Sequence, residues 1–272
     1  MSITTLDGVV AGIQVPWHFA KTMTTNTGAG RLMSTWAATG IPGPGSFNGS
    51  LSGGTYTAPV NGQIPHTDPA GGKNSYLARF CANGANVTAV QGMVLLCDRL
   101  WDNGGITVTQ TTAQTVNSVA WPARDNTGTS NGVGVYIGVE AQAAITTLSN
   151  ITYTYTNSSS VGSRTATLGA GGLSAPLQTT EGFVILPVQS GDVGVQSVQT
   201  LTLGTNMVAG TIDLVAFRVI SCLDSISGSD RATDCIKSGF PRIFNGSVPF
   251  LLYTTSITTA CTLHGTYTEA QG

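Results

Sequence analysis

The stretch Ile151-Thr152-Tyr153-Thr154-Tyr155-Thr156 alternates a β-branched or aromatic residue with threonine at every second position. A period of two marks a strand with one buried face and one face toward solvent. The same reading extends outward in both directions. Upstream, Ile106-Thr107-Val108-Thr109 and Gly134-Val135-Tyr136-Ile137-Gly138-Val139-Glu140 read as strands. Downstream, Val195 to Leu203, Thr211 to Ile220 and Ser247 to Thr255 alternate or run apolar with β-branched and aromatic residues. Between them lie Asn126-Thr127-Gly128, Asn157-Ser158-Ser159-Ser160-Val161-Gly162, Gly169-Ala170-Gly171-Gly172 and Ser190-Gly191-Asp192, which are loop chemistry. This spacing predicts a mainly β chain with an antiparallel β-sandwich or jelly-roll-like body.

Further from the centre the pattern is less regular. Gln91 to Trp101 is a dense apolar run that fits a buried strand or a short helix. Strand is favoured, because Asp102-Asn103-Gly104-Gly105 ends it as a turn and an alternating run follows. Ala232 to Lys237 reads as one short helix with Asp230 as its N-cap and Gly239 as its stop. Cys261 to Thr268 reads as a last strand, placing the C-terminal segment in a sheet. Before residue 75 the chain is punctuated by Gly40-Ile41-Pro42-Gly43-Pro44-Gly45, Gly53-Gly54, Asn61-Gly62 and Pro69-Ala70-Gly71-Gly72. The expected organisation is an extended, loop-rich N-terminal arm or lobe over 1–74 and a β-sandwich domain over 75–272. Trp17, Phe19, Met33 and Trp36 are the candidate interface anchors of that arm.

Charge is the compositional anomaly. The 272 residues hold 11 Lys+Arg and 13 Asp+Glu, 9% charged, against roughly 25% in an ordinary soluble domain. With 41% apolar residues the chain can build a real core. A surface so poorly charged points to burial against other protein. A net charge of −2 and the absence of any Lys/Arg cluster argue against nucleic acid or an anionic membrane as partner. Met1 to Ala20 has no basic residue before His18 and no continuous apolar core, which predicts neither a signal peptide nor a spanning helix. The five cysteines are odd in number, widely spaced and without a CxxC pair, which predicts reduced thiols.

Signals for chemistry are weak. His66-Thr67-Asp68 is the one histidine with a second ligand type nearby, and a turn role for Asp68 competes with a metal site. Asp224, Asp230 and Asp234 share an acidic loop, but without calcium-loop spacing. Asn131 to Gly138 carries GxGxxxG rather than a dinucleotide fingerprint. Glu140, Glu181 and Glu269 are the only glutamates; Glu140 falls on a strand, where a solvent-facing position is expected. Trp17, Trp36, Trp101 and Trp121 are too dispersed to predict a sugar platform. No nucleophile elbow, P-loop or HExxH is present. No cofactor or catalytic residue is expected.

The runs Leu95-Leu96-Cys97-Asp98-Arg99-Leu100-Trp101, Thr111 to Val119, Trp121-Pro122-Ala123-Arg124-Asp125 and Ser190 to Val198 resemble a group of tailed-bacteriophage virion structural proteins. The resemblance spans most of residues 75 to 220 and brings no catalytic residues with it. It implies a non-enzymatic particle component, folded in the host cytoplasm and located in the virion. Its partners would be other virion proteins, the major capsid protein among them, and further copies of itself. A capsid decoration or cement protein is the leading expectation; a tail, neck or fibre component, possibly host-binding, is the alternative. A carbohydrate-active enzyme or carbohydrate-binding module is the third.

Overall fold

The computed structural model describes residues 3–26, 28–85, 91–169, 173–226 and 231–272. Strand accounts for 44% of the structure and helix for 6%, so the mainly β, sandwich-like body expected from the alternation is what forms. Three antiparallel sheets make it up. The long sheet runs Phe183–Ile185, Val135–Ala143, Thr211–Ile226, Gln91–Asp102, Pro249–Thr255, Leu32–Ser34, with Gly54–Thr55 also on Gln91–Asp102. The terminal sheet runs Ala232–Asp234, Ser75–Ala85, Cys261–Gln271, Trp17–Met23, Thr39–Ile41, with Arg242–Ile243 also on Ser75–Ala85. The threonine sheet runs Arg164–Leu168, Ile151–Asn157, Val195–Leu203, Gln114–Thr115.

One face of the long sheet packs on both other sheets. Val94, Leu96, Leu251 and Tyr253 meet Phe19, Phe80, Leu263 and Tyr267 of the terminal sheet. Ile137, Val139 and Leu214 meet Tyr153, Tyr155, Val198 and Leu201 of the threonine sheet. The other face exposes Cys97, Val215, Phe217, Phe250 and Leu252, and it is clad by Trp36, with Phe47 and Tyr56 alongside. A sheet apolar on both faces needs a layer on each. Here the chain before residue 74 supplies the second one.

That requirement corrects the expected arm. Trp17–Met23 pairs along its whole length with Cys261–Gln271, and Leu32–Ser34 pairs with Pro249–Thr255. The N-terminal segment is therefore woven into two sheets instead of reaching outward, although between residues 42 and 74 only Gly54–Thr55 is strand. One predicted strand also fails. Ile106 and Val108 are buried as the alternation requires, but Ile106 to Thr109 pairs with no strand. The Gln114 side chain stands in for the missing neighbour: its Oε1 accepts from Thr107 N at 2.8 Å and its Nε2 donates to Thr107 O at 3.0 Å.

Under the N-terminal cladding lies a buried ion network. The register between Thr211–Ile226 and Gln91–Asp102 slips between Ala216/Phe217 and leaves Leu100 unpaired. Such a bulge restores the same side to residues three apart, so Arg99 and Asp102 share a face and their side chains meet at 2.7 Å. Arg99 also reaches Glu140, two strands away, at 2.7 Å. Its guanidinium carbon lies 4.5 Å from the Trp36 ring centre, with Tyr56, Phe250 and Phe47 at 5.5, 5.6 and 5.7 Å. The Tyr56 hydroxyl donates to the second partner, Asp102, at 2.9 Å. On the opposite face Asp98 accepts from Arg124, Arg218, Ser247 Oγ and Val248 N.

Replacing Arg99 with methionine would leave Glu140 and Asp102 buried without a counter-charge, and such a break costs about 3–5 kcal/mol. Urea unfolding of Arg99→Met is expected to show a loss of that order. A loss below about 1 kcal/mol would mean that the pair is not structural.

Candidate functional site: an apolar outer face above a buried histidine

The outer face of the terminal sheet carries two short helices. α1 (Leu6–Gly12) is capped by Thr5, whose hydroxyl accepts from Gly8 N at 3.1 Å. At Gly12 a Cβ would fall 2.5 Å from the Gln271 carbonyl. Only glycine lets the helix lie this close to the C-terminal strand. α2 (Cys235–Ser238) is capped by Asp234, which accepts from Lys237 N at 2.8 Å, and stops at Gly239 with φ 73°. The expected cap, Asp230, lies outside the described residues. Val9 of α1 and Cys235 of α2 point inward together against Ala78 and Ala270.

The outer flank of these helices is also apolar. Leu6, Val10 and Ile13 recur at helical spacing and are 63%, 64% and 51% exposed; Val15 and Ile236 reach 77% and 72%. Trp17 follows, still 38% exposed. A cleft of about 410 Å³ opens between Ile3, Leu6 and Val9 on one side and Tyr76, Ile236 and Phe240 on the other. A second, of about 320 Å³, lies between Gln14, Val15, Trp17 and Thr67, Glu269, Gln271.

Beside that second cleft sits His66, its side chain fully buried. Nδ1 is 2.6 Å from Glu269 Oε1 and Nε2 is 2.8 Å from Asp68 Oδ1. Carboxylates only accept, so the doubly protonated imidazolium is the form that satisfies both. Burial opposes that charge, but the hydrogen bond and charge of Glu269, then of Asp68, outweigh it and raise the imidazole pKa. Tyr267 also donates to Glu269 Oε1, and Gly246 N to Asp68 at 2.7 Å. Both imidazole nitrogens are thus committed to a clasp that joins residues 66–68 to the last strand. They do not form a metal site. His18 and His264 are brought together elsewhere, ring centres 6.3 Å apart, a pairing with no linear signal. Among the described residues no three His, Cys, Asp or Glu side chains are placed to hold a metal.

A second outer face belongs to the threonine sheet. In register across its strands stand Thr167, Thr152 and Thr202, then Thr165, Thr154, Thr200 and Thr115. Hydroxyls pair within these rows, Thr152 with Thr167 at 2.8 Å and Thr154 with Thr200 at 2.7 Å. These positions carry no charged side chain.

Of the four expected anchors, only Trp17 is at the surface. Phe19, Met33 and Trp36 are fully buried, because Phe19 alternates inward against Phe80, Met33 joins the same core and Trp36 stacks on Arg99. The residues that do form the outer face, Leu6, Val10, Ile13, Val15 and Ile236, carried one readable signal. Leu6, Val9, Val10 and Ile13 have helical spacing, which Gly8 and Gly12 obscure.

The candidate carboxylates lie inside the fold. Glu140, expected in solvent, is fully buried on Arg99. Glu181 is buried and accepts from Thr24 N at 2.9 Å. Asp213 lies opposite Glu140; burial, with repulsion from Glu140 and Asp102, pushes its pKa up to about 8. The glycine-rich stretch after Asn131 spends its Gly132 and Val133 amides on Asp125 Oδ2, at 3.0 and 3.1 Å, not on a ligand. Trp101 and Trp121 pack on each other in the core, so the tryptophans form no platform. No helix among the described residues is long and apolar enough to cross a membrane.

No protein-family model and no curated protein matches the chain. It is similar to solved structures from infectious bursal disease virus: the VP2 subviral particle, at 10% identity over 95% of this chain and 81% of that one, TM-score 0.21; the Gt strain, at 10%, 95%, 82% and 0.21; and the derived T=1 particles, at 8%, 95%, 79% and 0.20. At that overlap no function passes from those proteins to this chain.

The His66 clasp has a definite pH signature. A base whose pKa is raised by folding stabilises the fold fully below its unfolded value, near 6.5, and loses that contribution as pH rises through the folded value. The stability difference between wild type and His66→Gln is therefore expected to shrink as the pH is raised above about 6.5. A difference that stays flat or grows over that range would show a neutral imidazole.

Proposed function

We propose that this chain is a non-enzymatic structural protein of a virus particle, and specifically a decoration or cement protein on the head of a tailed phage. The observation that carries this reading is where the charge goes. At least eleven of the 24 Lys, Arg, Asp and Glu side chains are buried: three arginines, one lysine, four aspartates and all three glutamates. At most 13 are left for 10637 Å² of surface, roughly one per 800 Å², far sparser than a freely soluble domain needs. The threonine rows are an uncharged area of that surface, and the helical face is largely apolar, with Asp7 and Lys237 beside its exposed Leu6 and Ile236. Such areas cost little to desolvate against another protein. The resemblance of four runs to phage virion proteins is what suggests the particle and the host class.

The reading is tested by gold labelling of epitope-tagged chain on purified particles, together with heat challenge of particles lacking it. Label over the head and earlier loss of heads at elevated temperature are expected. Label confined to the tail would replace this reading with a tail, neck or fibre role. No label on particles at all would remove the virion role.

A further inference from the structure

We propose that the face formed by α1, residues 13–17 and α2 is a self-association surface that pairs two copies of this chain about a twofold axis. α1 is apolar on two adjacent flanks. Val9 fills the inward one, while Leu6, Val10 and Ile13 occupy the next, and Asp7 is the only charged residue of the helix. A helix this apolar belongs between two layers, and the chain provides one.

The size of the face fits a dimer. From the fractional exposures of Leu6, Val10, Ile13, Val15 and Ile236, it presents roughly 500 Å² of apolar residue surface, in the upper part of the range for a single patch on a monomer and more than half of the ~800 Å² per partner of a standard interface. Its charges also suit a second copy. Asp7 on α1 and Lys237 on α2 are both exposed, one acid and one base on the two helices that flank the cleft. A twofold axis places the same patch against itself, so each acid can meet the other copy's base. A uniformly acidic or basic partner would meet one of them with like charge. The cleft between α1 and Ile236 is an apolar recess beside the projecting Val10 and Ile13, so one face carries both knob and hole.

This inference deepens the assembly reading and rests on it only in treating uncharged surface as contact surface. Dimerisation is read on the isolated chain and the virion role on particles, so either can fail alone. Sedimentation velocity of the full chain is expected to show a dimer. Val10→Asp should raise the dimer dissociation constant about 100-fold or more, because an unpaired carboxylate would be buried at the interface. Its melting temperature should stay at the wild-type value, since Val10 faces solvent in the monomer. Asp7→Lys alone should weaken the dimer, and adding Lys237→Asp should restore it. A chain that stays monomeric at about 100 μM, a dimer indifferent to Val10→Asp, or a charge swap that fails to restore pairing would each overturn the proposal.

Discussion

A guanidinium with no access to water must be neutralised on all sides before any apolar contact around it counts. Arg99 meets most of that demand with Asp102 and Glu140 on its two terminal nitrogens and Trp36 over its face, its Nε left without a hydrogen-bond partner. Much of the architecture follows from it. The bulge at Leu100 exists where Arg99 and Asp102 must share a side. Glu140 ties in the strand Val135–Ala143, two strands away. Trp36, Phe47 and Tyr56 must lie over the site, which pulls the chain before residue 74 onto the long sheet. Asp98 repeats the device on the opposite face and gathers Arg124, Arg218 and the turn at Ser247.

These two nodes change the meaning of the low charge content. Read as composition alone, 24 charges among 272 residues suggest only a weakly protected surface. The structure shows that much of this small set is consumed as internal fastening, in clusters that join segments remote in sequence. The outside is poorer still. Its least charged areas are threonine hydroxyls in paired rows and aliphatic side chains on two short helices.

The sheets were legible because a half-buried strand writes its burial into a period of two. Ile151–Asn157 and Val195–Leu203 form where the alternation places them. What the alternation does not encode is how many layers lie above a strand. Tyr136, Gly138 and Glu140 occupy the polar phase of Val135–Ala143, which reads as solvent; Tyr136 is indeed 41% exposed, yet Gly138 lies against Phe183 and Glu140 is fully buried on Arg99 under the N-terminal cladding. The same blindness to long-range pairing turned Phe19, Met33 and Trp36 into expected anchors; their partners Phe80, Tyr253 and Arg99 are far along the chain. At Ile106–Thr109 the pattern was right about burial and wrong about structure, since a glutamine side chain took the place of a strand. α1 was hidden because Gly12, which its close approach to Gln271 requires, is also the residue that most weakens a helical reading.

The proposed assembly role requires that the threonine rows and the helical face be covered in the assembled state. Hydrogen–deuterium exchange compares this most directly, run on the chain at high dilution and on the chain in the particle. Slower exchange in residues 6–13 and 235–238 and in the threonine sheet is predicted on assembly, with Gln91–Asp102 protected equally in both states. Unchanged exchange across both outer faces would contradict the account.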